Sequence, residues 1–177
     1  MPSKNRIYKH LISRELQPWA YKGVIVDEVN NVCTFLIHNL SGQLIGYQEY
    51  RPDILEKSHG KPRGEGRYFT YVTEGQTLLW GLERLNPKLK HLYVVEGVFK
   101  AAYLHRLGFN AVAIFGNKPS VAQMQQLSVL PYELIGIGDN DEAGAMLPRA
   151  IGKGSVSPKD LDEMSISEVY LFVRSLT

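Results

Sequence analysis

Cysteine is almost absent from this 177-residue chain. Cys33 stands alone, so no intrachain disulfide can form and an all-cysteine zinc site lacks its ligands. Folding must rest on a packed core, and an intracellular, cytoplasmic setting is expected. No apolar run approaches the roughly 20 residues needed to span a bilayer, and residues 1–19 lack the continuous apolar stretch of a secretory signal; no membrane partner is expected. A dominant charge is missing as well: 20 Lys and Arg against 18 Asp and Glu leave a formal +2, too little to name a polyanionic partner by itself. There is no internal repeat and no long low-complexity tract. With 44% hydrophobic residues, 21% charged, 16 Gly and 9 Pro, collagenous and disordered classes are excluded, and the length suffices to remove about 70% of the extended surface from water.

Charge is nevertheless unevenly distributed. Lys4, Arg6, Lys9, His10 and Arg14 form one basic segment; Lys57, His59, Lys61, Arg63 and Arg67 form another, with only Glu56 and Glu65 nearby. The stretch HGKPRGEGR, interrupted by Gly and Pro, predicts a mobile basic loop. Before it, residues 23–29, 32–38 and 43–50 are β-rich and separated by Asn30-Asn31 and Ser41-Gly42, which predicts a small antiparallel meander with the loop at one edge.

Beyond Tyr71 the pattern changes to alternating helix and strand. Residues 74–84 predict a helix carrying Leu78, Leu79, Leu82 and Leu85 on one side, ended by Asn86-Pro87. Strands are predicted at 92–95, 111–115 and 134–137. Helices are predicted from 96–97 to Leu107, stopped by Gly108, over 119–130 with Val121, Met124, Gln125 and Ser128 as a mixed face, and over 141–151. Strands joined through helices of about a dozen residues imply βαβ units and a parallel sheet. Ser165 and Glu168 have capping-box spacing ahead of an amphipathic helix with Ile166, Val169, Tyr170 and Val173 on one stripe. The expected class is α/β: a parallel sheet flanked by helices, preceded by a small antiparallel β subdomain, with the division at 1–72 and 73–177.

In open parallel sheets chemistry gathers at the carboxyl ends of the strands, and here those ends are acidic. LYVVEG delivers Glu96, and LIGIGDNDEAG delivers Asp139 and Asp141, two apart and on one side if the chain stays extended. A third acidic stretch, KDLDE, holds Asp160, Asp162 and Glu163. Converging carboxylates repel one another unless a cation offsets them, and an all-oxygen donor set suits Mg2+ or Mn2+, which keep waters for a phosphate to replace. His38, His59, His91 and His105 are scattered without ligand spacing and are read as surface or packing residues.

These motifs resemble the TOPRIM domain of bacterial and phage primases, type IA and II topoisomerases and OLD-type nucleases. VVEGVFKAAYLHRLGFNAVAIFG is similar to its first motif, IGIGDNDEAG to its Asp-x-Asp motif, and KDLDE to a segment that follows in phage primases. Upstream, FLIHNLSGQLIGYQEYRP and RYFTYVTEGQTLLWGLERL resemble the stretch that primases carry before TOPRIM, so the primase type leads. The resemblance covers about residues 30 to 165. It implies synthesis of short RNA primers from ribonucleoside triphosphates on a single-stranded DNA template, with a replicative helicase or other replisome protein as a partner. The brevity of the chain adds the expectation of a standalone domain without zinc-binding or helicase domains, of phage or mobile-element origin and acting in the host cytoplasm.

By the same resemblance Glu96, Asp139 and Asp141 are the expected catalytic residues and, with Asp160 and Asp162, the metal ligands. Lys100 and Lys159 are expected to contact nucleotide phosphates, while Arg51, Lys61, Arg63, Arg67 and Tyr47 would hold template through charge and stacking, with Tyr50 and Tyr68 as further stacking candidates. Lys100 departs from the pattern: many primases carry an Asp there, whereas type IA topoisomerases carry a lysine. A metal-dependent TOPRIM nuclease and a non-catalytic nucleic-acid-binding replication module are the alternatives.

Overall fold

The computed structural model describes residues 6–56 and 61–177. The chain divides into two compact units, Met1–Gln76 and Thr77–Thr177. In the first, helix α1 (Arg6–Ser13) leads into an antiparallel sheet of β1 (Val24–Asp27), β2 (Val32–His38), β3 (Leu44–Tyr50) and β4 (Tyr68–Val72), in that spatial order. The meander is the expected one, with Asn31 in the left-handed region at the β1–β2 turn (φ 52°). Neither α1 nor β4 was anticipated from the sequence. Ile7 and Leu11 give α1 its buried side, and His10 Nε2 meets the Tyr50 hydroxyl at 2.7 Å. Lys4, Lys57 and His59 lie outside the described residues. From Lys61 onward the basic loop is tied down: Glu65 N–H donates to Pro62 O at 3.2 Å and Arg67 N–H to Glu56 O at 3.2 Å.

The second unit is a parallel sheet in the order β6-β5-β7-β8, built from β5 (His91–Val95), β6 (Ala111–Ala113), β7 (Glu133–Gly138) and β8 (Gly154–Val156), with helices α2 (Val98–Arg106), α3 (Val121–Ser128), α4 (Met146–Ile151) and α5 (Ile166–Ser175). One face of the sheet packs Leu92, Val94 and Val112 with Ile114, Leu79, Leu127 and Leu147 into a closed cluster. Toward the other, Phe109 meets Tyr93 edge-on and Tyr170 at a tilt, with ring centroids 5.6 and 5.3 Å apart, and Tyr103 of α2 donates its hydroxyl to Met164 O at 2.9 Å. Helix α5 starts at the expected capping box, Ser165 with Glu168.

Several expectations are corrected. Residues 74–84 form no α-helix: Trp80 instead pairs in antiparallel fashion with Ala113, and Gly81 turns at φ 100° before a single 3-10 turn at Leu82–Arg84. The leucine spacing reflects burial on a sheet edge and has no helical origin. Strand β6 stops at Ala113, and Phe115 adopts φ 58°. Helix α3 buries Gln123 and Leu127, with Val121 76% exposed, so the inward face is displaced from the expected one. Helix α4 begins only at Met146 because the preceding turns hold the backbone of Gly144 against Gly138 and Asp139, where a Cβ on either glycine would collide. Strand β8 was not foreseen.

Candidate active site

The strand order turns around between β5 and β7: the chain goes from β5 to β6 on one side, then crosses back to β7 on the other. Such a switch point opens a crevice at the carboxyl ends of the strands. In this register Val95 lies beside Ile137, so the next residues out of the two strands are Glu96 and, after Gly138, Asp139. Asp139 N–H donates to Glu96 Oε1 at 3.1 Å. The two acids that the sequence places 43 positions apart are therefore linked directly.

Lys100, in the first turn of α2, donates from Nζ to Asp139 Oδ1 and lies 3.9 Å from Asp160 Oδ1. Asp160 precedes the 3-10 turn Leu161–Glu163, which contains Asp162. Asp141 does not continue an extended chain. Its N–H turns back to Asp139 O at 2.9 Å and its Oδ1 accepts from Gly144 N–H at 2.7 Å, so the same-side extended arrangement expected of the Asp-x-Asp pair gives way to a tight turn. Asn140 ties that turn to Pro158 O at 3.0 Å. Lys159 reaches Glu168 at 3.0 Å. That ion pair supports the α5 cap: chiefly the Ser165 N–H, and then Lys159, pull the Glu168 carboxyl down to about 2.

Burial is the main influence on Glu96, raising its carboxyl above the usual range; the Asp139 N–H opposes this, the Asp139 charge adds to it, and Lys100 lowers it. Among the described residues, no three His, Cys, Asp or Glu side chains converge on one ion-sized centre. Glu96, Asp139 and Asp141 each have one oxygen engaged by protein donors and the second without a protein partner among those residues. That donor set fits a hard divalent cation held by one or two carboxylates and completed by water and phosphate oxygens, and it does not fit an all-protein cage.

The other predicted residues lie in the first unit. Glu49 is buried (3% exposed) on β3 and is shared by Arg51, at 2.6 Å, and Arg63. The Arg63 hydrogen bond, with Arg51, holds the Glu49 carboxyl below its ordinary range against the opposing effect of burial. Arg63 also lies over the Tyr47 ring at 5.7 Å. Tyr47 continues into Phe69 and Tyr71 of β4, ring centroids 6.2 and 5.7 Å away, an aromatic row the sequence reading missed. Cross-strand pairing of Tyr47 with Tyr71 was the signal that could have revealed it. Lys61 pairs with Glu56 at 2.5 Å, and Arg67 donates to Ile54 O and Leu55 O at 2.7 and 3.0 Å. Tyr50 is corrected as a stacking candidate: it is 2% exposed and packs with Tyr68 in the core.

No family model matches the chain. Its sequence is 30% identical over 115 residues to a DNA primase of Mycoplasma genitalium, covering 61% of this chain and 18% of that one. It is 29% identical over 140 residues to a DNA primase of Legionella pneumophila, covering 77% and 24%. In three dimensions it matches the zinc-binding and RNA polymerase domains of Aquifex aeolicus primase with a TM-score of 0.61, at 22% identity over 99% of this chain and 50% of that one. It has the fold of the DnaG primase catalytic core. A DnaG primase catalytic domain bound to ssDNA gives the same result, with a TM-score of 0.62 at 16% identity over 98% of this chain and 62% of that one. The chain spans 18% and 24% of the two primases it matches in sequence, so the likeness concerns the primase catalytic core. Among the described residues no helix is long and apolar enough to cross a membrane.

Proposed function

We propose that this chain is a primase-type nucleotidyltransferase that makes short RNA primers on single-stranded DNA, in the cytoplasm, with Mg2+ or Mn2+. The observation that carries the reading is the Asp139 N–H to Glu96 bond at the switch point of a primase-type sheet. It brings two carboxylates with open oxygens to the place where such folds bind phosphates. A bound divalent ion would lower the pKa of the primer 3′ hydroxyl and offset charge on the triphosphate.

The chain's own residues do the rest. The 3′ oxygen forms its bond to the α-phosphorus as the bond to the bridging oxygen of pyrophosphate breaks. Glu96 Oε2, on a carboxyl raised by burial, receives the hydroxyl proton. Asp139 and Asp141 would hold the cation through their Oδ2 atoms, and the cation in turn the phosphate, with Asp160 and Asp162 as outer acids. In the first unit, Arg63 on Tyr47, with Arg51, Lys61 and Arg67, supplies charge and a stacking surface for template.

Support comes from the primases matched in sequence and in fold, one of the latter described with ssDNA. The test offers the chain single-stranded DNA, four ribonucleotides and either metal. Short RNA products should form, and Asp139→Asn or Asp141→Asn should lower the rate by at least about a hundredfold with the fold retained. Cleavage of the DNA with no RNA made would assign the acids to a nuclease instead.

A further inference from the structure

We propose that Lys100 is a tethered cation standing, between Asp139 and Asp160, in the place of a divalent metal ion, so that the acidic site takes up one ion fewer than the same carboxylates would without it. This deepens the primase reading and rests on it only for what the ions do.

The position is a poor one for an ordinary lysine. Lys100 lies in the first turn of α2, where the Gly97 cap offers no side-chain acceptor and no acidic residue is present. The amino end of a helix carries positive partial charge and disfavours a second one. Its side chain is only 12% exposed, and withdrawing an ammonium from water is costly unless carboxylates replace the hydration. Two do so from separate segments: Asp139, in direct ion pair, and Asp160, at 3.9 Å. The amino group thus bridges an acid just past β7 and one just ahead of the 3-10 turn in the way a metal ion would, balancing charge at that point.

An ammonium balances charge but has no coordination sites. It cannot bind a hydroxyl or phosphate oxygen as a Lewis acid. Any ion that activates the primer hydroxyl is left with the oxygens Lys100 does not occupy, Asp139 Oδ2 and Asp141 Oδ2, while Glu96 Oε2 serves as the base. Unlike a metal, the lysine stays in place in the presence of a chelator, so the pairing of Asp139 with Asp160 does not depend on metal supply.

The test counts Mn2+ ions on the full chain by electron paramagnetic resonance titration, without nucleotide or template, for the wild type, Lys100→Met, Lys100→Gln and Lys100→Arg. The two neutral variants should take up one more Mn2+ per chain than the wild type, and Asp160→Asn added to Lys100→Met should remove it. Lys100→Arg, which keeps the charge, should match the wild type. An unchanged ion count in both neutral variants overturns the proposal. Should those variants not fold, the wild type still decides: its Lys100 ammonium 15N resonance should keep the slow proton exchange of an ion-paired group in saturating Mg2+, and release to free-lysine exchange overturns the proposal. A raised ion count with no primer synthesis by the wild type would sink the primase reading alone. Normal synthesis with an unchanged count would sink only the role of Lys100.

Discussion

His105 shows what burial does to a single titratable residue in this fold. It is 8% exposed, stacks near Trp80, and its Nε2 lies 2.8 Å from Ala111 O, a contact that requires the proton on Nε2. Burial, the largest influence, drives its pKa down from 6.5 to about 4. In the unfolded chain the ring protonates near its ordinary value while the folded chain keeps it neutral. The resulting stability is fully present above pH 6.5 and is lost as pH falls toward 4, by at most about 3 kcal/mol. Urea-unfolding midpoints of the wild type and His105→Gln, compared from pH 7 to pH 4, should show the variant less stable at pH 7 but with a shallower decline in acid. Parallel curves would mean that His105 is not buried neutral. From the sequence it reads as a surface or packing histidine, since no ligand spacing surrounds it; neither its burial nor the carbonyl that fixes its tautomer is visible there.

Gln123 makes the corresponding point for the elements. Its side-chain nitrogen donates to Leu78 O and Ile114 O at 2.6 and 3.0 Å, while its oxygen accepts from Ser120 N–H at 2.8 Å. One buried amide therefore fastens α3 to the end of β6 and to the irregular segment before Trp80. Gln123→Leu keeps the volume but strips buried carbonyls of their donor, and should cost about 2–4 kcal/mol in urea unfolding. Ser120→Ala, which removes only the hydroxyl half of the cap, should cost about 1 kcal/mol. Equal losses would refute the bridging role.

This residue also explains where reading from sequence stopped. A polar glutamine on the inward face breaks the apolar period, so the spacing points to a face of α3 displaced from the real one. Leucines at 78, 79, 82 and 85 mimic a helix although Trp80 is held by a cross-strand bridge that no local pattern encodes. The three residues of β8 are too few to show a period. What was legible had local causes: the meander turns, the Gly108 stop and the Ser165 cap. At the site, the meeting of Glu96 and Asp139 was legible because both leave the carboxyl ends of parallel strands. The turn of Asp141 was not, since it depends on contact between the backbones of Gly138, Asp139 and Gly144.

At the scale of the whole molecule the proposed function divides charge and chemistry between the two units. The second unit holds the acids at its switch point; the first holds the arginine and tyrosine surface, where a buried Glu49 orients both Arg51 and Arg63. Arg63 is the more accessible of the pair, 61% exposed against 18% for Arg51, and it alone also lies over Tyr47, so it can exchange its hold on Glu49 for a phosphate at little desolvation cost. Arg63→Ala should then weaken single-stranded DNA binding uniformly across sequences and reduce the salt slope of log Kd by about 0.7, the value for one phosphate contact on a single strand. Arg51 still neutralises Glu49 in that variant, so folding should persist. The same variant should bind Mn2+ as the wild type does, because the acids belong to the other unit, whereas Asp139→Asn should lose synthesis and keep template binding. Filter-binding titrations at several salt concentrations, run beside the Mn2+ counts, measure both halves. A joint loss of template and metal binding in Arg63→Ala would show that the two units do not divide the work in this way.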